Sequence, residues 1–218
     1  MSELPWGFLL LLPLAIWVYL GKAGWLREIG PSRELLLFFI LLFFAGNFFT
    51  FNFILDGKNI FVNLGGYIIP ALFAVWLFFR IEDKRPLRRF FGALVLAGLY
   101  LLQHNFELMD AEWLYPLAGA YPLIAGIFAA ALGGGRAAAL FAVFAGSVLG
   151  QSVQTVIWGG TPFYNVRQFG TVQDLNLLLL AAMFSQAFCL AAARLKKAVK
   201  RKTLSLAPAG DGLTKDGQ

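Results

Sequence analysis

The sequence predicts an all-α fold, a polytopic bundle of membrane-spanning helices, and three observations predict it. Apolar stretches about as long as a bilayer is thick recur along the chain. Lys and Arg crowd into alternate gaps between those stretches and nearly vanish from the others. The composition, 59% hydrophobic and only 14% charged with mean hydropathy +0.71, leaves too little polar surface to cover a soluble domain.

Seven apolar stretches can be marked, at 4–20, 35–55, 60–79, 87–103, 113–132, 137–158 and 172–193. A helix needs about 20 residues to cross about 30 Å of hydrocarbon. Most stretches are near that length, and the first and fourth are short. The first follows Met1, Ser2 and Glu3 without a basic leader, so it reads as a retained anchor and not a cleaved signal. The second is Phe-rich and ends at Asp56-Gly57, a turn pair. The third contains Asn63-Leu64-Gly65-Gly66-Tyr67-Ile68-Ile69-Pro70. That segment is either a kink at a close helix crossing or a broken helix of the kind that marks transporter substrate sites.

The fourth stretch opens on Arg88 and Arg89, which are expected to snorkel. The sixth carries Ala138, Ala142, Gly146 and Gly150 at every fourth position, a small-residue ridge for helix packing. Gly126 and Ala130 give the fifth a matching ridge. The short turn Gly133-Gly134-Gly135-Arg136 joins the two, so the fifth and sixth are expected to form the tightest pair. The glycine run is no phosphate cradle, because no Lys-Ser/Thr follows it and no strand precedes it. The seventh stretch begins with Thr171-Val172-Gln173-Asp174, a capping-box pattern. Residues 1–202 thus form the bundle, and 203–218 read as a disordered cytoplasmic tail.

All but two of the 18 basic residues lie in one set of gaps or in the tail; the exceptions are Lys58 and Arg167. The positive-inside rule then places the N-terminus outside and the C-terminus in the cytoplasm. The net charge of +6 is topology, not a nucleic-acid stripe. Its natural partner is the anionic headgroup layer of the bilayer. Cys189 is the only cysteine, so no intramolecular disulfide forms.

Polar residues within the spans gather toward the outer side. Asn47, Thr50 and Asn52 lie in the second span, Asn63 in the third, and Gln103, His104 and Asn105 at the end of the fourth. Ser147, Gln151 and Gln154 share one face of the sixth, and Asp174 opens the seventh. Asn47, Asn63, Gln151, Gln154 and Asp174 are the candidate lining of an outward-facing vestibule for a small polar solute. The same residues would serve equally as interhelical hydrogen-bonding glue. Glu107, Asp110 and Glu112 form an acidic outer loop without a recognised metal spacing, and no metal or cofactor is expected. A single His excludes three-histidine zinc chemistry, and Gly146-Ser147 is followed by no His that would act as its base, His104 coming earlier in the chain. The chain is therefore expected not to be an enzyme.

Several segments together resemble the sporulation membrane proteins of the YphA type. They are the first span with its basic loop from Lys22 to Arg33, the Phe-rich span leading into Asn63-Leu64-Gly65-Gly66-Tyr67, and the aliphatic-aromatic span after it. Tyr121-Pro122-Leu123-Ile124, ahead of the hairpin through Arg136, completes the set. The resemblance implies a multi-pass protein of the bacterial inner membrane with a sporulation role, and it carries no catalytic residues. Two functions are in view: a structural or partner-binding protein with a membrane-protein partner or a second copy, and a small-solute carrier or substrate-binding membrane subunit.

Overall fold

A computed structural model describes residues 32–55, 57–81, 86–106, 120–158 and 166–206, together with 12, 13, 15, 16 and 19. Most of the predicted first span, the start of the fifth, the acidic loop at 107–112 and residues 207–218 lie outside the described residues. The described chain is mostly helical. It runs α1 (Arg33–Gly46), β1 (Thr50–Leu55), β2 (Lys58–Asn63), α2 (Ile69–Arg80), α3 (Pro86–Phe106), α4 (Tyr121–Gly133), α5 (Arg136–Trp158), β3 (Val166–Phe169) and α6 (Val172–Leu206).

A small sheet replaces helix at the junction of the predicted second and third spans. The stretch 35–55 is helical only to Gly46, and 60–79 becomes helical only after Asn63. Thr50-Phe51-Asn52-Phe53-Ile54 is rich in β-branched and aromatic residues, which fit a pleated surface better than a helix. Gly57 takes a positive φ of 73°, closing the hairpin that pairs Thr50 with Asn63 and Leu55 with Lys58. A continuous apolar run does not by itself separate strand from helix, and that hid the hairpin in the sequence. β3 adds to β2 in parallel, Asn59 beside Val166 and Val62 beside Phe169. A π-helical turn, Leu64–Ile68, leads from β2 directly into α2, where Pro70 sits in the first turn and needs no hydrogen-bond partner.

The helices alternate in direction. At one end lie the starts of α2, α4 and α6, the ends of α1, α3 and α5, and the sheet; this is the Asp174 end. At the other, the Arg88 end, Arg88 reaches the last turn of α4 and Gln186 of α6 donates to the Arg136 carbonyl at the start of α5.

Small residues set the closest contacts. A Cβ on Gly146 would stand 2.6 Å from Leu96 Cβ and 2.8 Å from the Ala93 carbonyl, and one on Gly150 would strike Tyr100. The ridge of α5 thus receives α3, running parallel to it. That corrects the expected pairing of the fifth and sixth spans as the tightest. Gly126 of α4 instead meets Phe184 and Ser185 of α6. The reason is direction: the short turn brings α4 and α5 together mainly where Gly133 meets Ala139, and α5 turns its small face to α3. An aromatic spine fills the remaining core, with Phe73 packed on Phe39 at 4.7 Å, Phe144 at 4.8 Å and Trp76 at 5.6 Å.

Many outward-facing positions are large and apolar: Phe79, Leu87, Leu41 and Leu72 are exposed, while Ala129, Ala139 and Ala142 are fully buried beside Leu77, Leu96 and Leu175. Among the described residues two helices, over Arg136–Val156 and Val172–Arg201, are long and apolar enough to cross a membrane.

Candidate functional site

The Asp174 end holds two polar clusters, built from different elements. The first centres on Asn63, the last residue of β2. Its side-chain Oδ1 accepts from Gly66 N at 2.6 Å, capping the π turn. Its Nδ2 donates to the Asn47 carbonyl at 3.0 Å and to Thr50 Oγ1 at 3.2 Å. Asn63 thereby ties the end of α1 and the start of β1 to the entry of α2. The segment singled out in the sequence is a capped helix start rather than an open break. Backbone closeness reinforces it: a Cβ on Gly66 would stand 2.5 Å from the Gly170 carbonyl, where Gly170 has φ +73°. Only glycine fits that crossing, which joins the α2 entry to the start of α6.

The second cluster centres on Asp174. The capping box forms: Asp174 N donates to Thr171 Oγ1 at 3.0 Å, and Thr171 N donates to Asp174 Oδ2 at 2.8 Å. The Thr171 hydroxyl adds a bond to the same Oδ2 at 2.7 Å. The other oxygen, Oδ1, accepts from the Tyr100 hydroxyl at 2.5 Å. His104 Nε2 lies 3.6 Å from Oδ1, and its ring stacks on Tyr100 with centroids 4.3 Å apart. His104 Nδ1 lies 3.2 Å from the Tyr100 carbonyl. Tyr121 packs edge-on against Tyr100 at 6.3 Å. Asp174 is 6% exposed, so its charge is held by fixed donors and not by water.

Of the five proposed vestibule residues, Asn63 and Asp174 spend their polar atoms on the protein itself. Asn47 contributes its backbone carbonyl to Asn63, while its own side-chain oxygen is buried without a partner. Gln151 is 3% exposed, and neither end of its amide has a partner. Gln154 is half-buried one turn further along α5. Asn47 and Asn63 thus sit at the α1–sheet junction, Gln151 and Gln154 on α5 and Asp174 on α6, and no hydrogen bond between their side chains joins the three places among the described residues. The acidic loop residues Glu107, Asp110 and Glu112 lie outside the described residues. Among the described residues no cluster of His, Cys, Asp and Glu has the makeup of a metal site.

Sequence reasoning missed Tyr100, Tyr121 and Tyr67. Tyr67 joins the sheet end to α5 through a 2.7 Å contact with Ser152 Oγ. Each is a phenol inside or beside an apolar run, and a hydroxyl there needs a partner. That was the available signal, since Tyr100 has Leu on both sides. Compared with known proteins, the chain matches no family model, no curated protein and no solved structure.

Proposed function

We propose that the chain is a multi-pass protein of a bacterial inner membrane that binds partners and performs no catalysis. Its seven spans place the N-terminus outside and the basic C-terminal helix in the cytoplasm; the sporulation role follows only from the resemblance to YphA-type proteins. Large apolar side chains around an alanine- and glycine-rich interior support the lipid setting. The short α1, about 21 Å long, would not cross alone. The hairpin that follows it then lies at the outer interface, because the free edge of β1 needs water for its backbone groups. Phe48, Phe49, Phe51 and Phe53, all exposed, suit the aromatic belt there.

The observation that carries the reading is α6. It runs unbroken from Val172 to Leu206, and every residue from 191 to 201 is exposed. Residues 172–193 span about 33 Å, matching the hydrocarbon, and the rest of the helix projects about 20 Å beyond it. Arg194, Lys196 and Lys197 meet anionic headgroups at its base. Lys200 and Arg201 stand further out, where a surface potential fading over about 8 Å gives way to an acidic protein partner. The polar network supports the absence of catalysis, since Asp174 is enclosed by its own donors. The test is crosslinking in native membranes with wild type and with Lys200→Glu/Arg201→Glu. The pair of substitutions should remove a specific crosslinked protein while membrane insertion persists. An unchanged crosslinking pattern would overturn the partner role of the helix.

A second reading, a small-solute carrier with an outward vestibule, is favoured by the unpartnered Gln151 amide. Under that reading a metabolite stabilises the purified protein against heat, and Gln151→Ala abolishes the effect.

A further inference from the structure

Gln151 sets a hydrogen-bonding demand that the protein does not meet. Its Oε1 and Nε2 are both enclosed and both without partners, whichever way the amide is turned. The contact of Gly150 with Tyr100 places Gln151 and Gln103 at the same end of the α3–α5 pair, each within one turn of that contact. Gln103 Oε1 is the second buried acceptor there without a donor. Nearby polar groups are engaged elsewhere: Tyr100 and Thr171 with Asp174, Ser152 with Tyr67. A buried amide left bare is costly, and native proteins meet such demands with bound water or ligand.

We propose that Gln151 is the anchor of a bound small neutral molecule at the Asp174 end of the bundle. The open valences define its chemistry. Gln151 Oε1 calls for a donor hydrogen and Nε2 for an acceptor. A water molecule has both, and so does the primary carboxamide of a solute. A monatomic ion does not, since it cannot serve a carbonyl oxygen and an N–H together. This goes beyond partner binding, because a static bundle would use the molecule as a structural ligand and a carrier would use it as substrate.

The test uses the full-length protein purified in detergent, with acetamide as probe and N,N-dimethylacetamide, which has no N–H, as control. Thermal unfolding is followed for wild type, Gln151→Leu and Gln151→Met. If a solute carboxamide is the occupant, acetamide raises the wild-type Tm by a few degrees in a saturable way. Dimethylacetamide does not, and the two Gln151 variants do not respond. If water is the occupant, acetamide has no effect and the Gln151 variants melt at or below wild type, because the bonds to the occupant are lost with the amide. If both Gln151 variants melt above wild type and acetamide does nothing, the amide is bare and the proposal fails. Should neither variant fold, magnetisation transfer from water or acetamide to the Gln151 side-chain amide of wild type decides the matter. Direct cross-relaxation supports an occupant, and its absence with both overturns it.

Discussion

The two ends of this bundle satisfy the same requirement with opposite chemistry. At the Asp174 end, side chains hydrogen-bond one another and the helix starts: Asn63 caps the turn into α2, and Asp174 with Thr171 caps α6. At the Arg88 end, cations reach helix ends. Arg88 donates through Nε to the Leu132 carbonyl at 2.7 Å and through Nη2 to Ala131 at 3.0 Å, both in the last turn of α4. Arg89, 4% exposed, lies under the Phe78 ring and donates to its carbonyl at 3.4 Å. Helix starts carry partial positive charge and helix ends partial negative charge, so a carboxylate or amide suits one and a guanidinium the other. The lesson is that the arginines counted for orientation also close helices. Arg88 and Arg89, expected to snorkel, donate to carbonyls of neighbouring helices, Arg88 from an exposed position and Arg89 from a buried one.

The largest expected effect is at the contact that holds both ends in register. Gly146→Leu drives a side chain into the Ala93 carbonyl and should cost more than about 3 kcal/mol. It should abolish the monodisperse peak in size-exclusion chromatography, and a normal yield would show that the α3–α5 seam is not tight. Next, Asp174→Ala strands the Tyr100 hydroxyl and the donors of Thr171. A loss of about 3 kcal/mol in thermal or denaturant unfolding is expected. Tyr100→Phe alone should cost about 1.5 kcal/mol and add little on top of Asp174→Ala, since the two share one bond. Full additivity in that cycle would mean that the contact carries no coupling. The smallest effect is at the other end. Arg88→Met keeps the stem and removes the cap of α4, for about 1 kcal/mol. A larger loss there than at Tyr100 would reverse the ranking of the two ends.

The mostly helical fold, the small-residue ridge and the Thr171–Asp174 box were legible in the sequence because each follows from local spacing. What spacing does not carry is which face meets which neighbour. The ridge at Ala138, Ala142, Gly146 and Gly150 was plain, but its partner, α3, is fixed by helix direction and by Tyr100 above Gly150. The hairpin at Thr50–Asn63 was hidden because an apolar run reads alike as strand or helix, although Asp56-Gly57 stood in its middle. The polar residues were found by depth alone. Only distances separate Asn63, whose amide is committed, from Gln151, whose amide is not.

The parallel pairing of β2 with β3 has a consequence for how the chain is assembled. Between those strands the backbone passes through α2, α3, α4 and α5. The four helices alternate in direction, so β3 comes back to the end of the bundle where β2 was left. A helix among them that failed to pack would leave β3 at the wrong end and β2 with an open edge. Completion of the three-stranded sheet is thus a check on all four at once, read by backbone hydrogen bonds between strands more than a hundred residues apart.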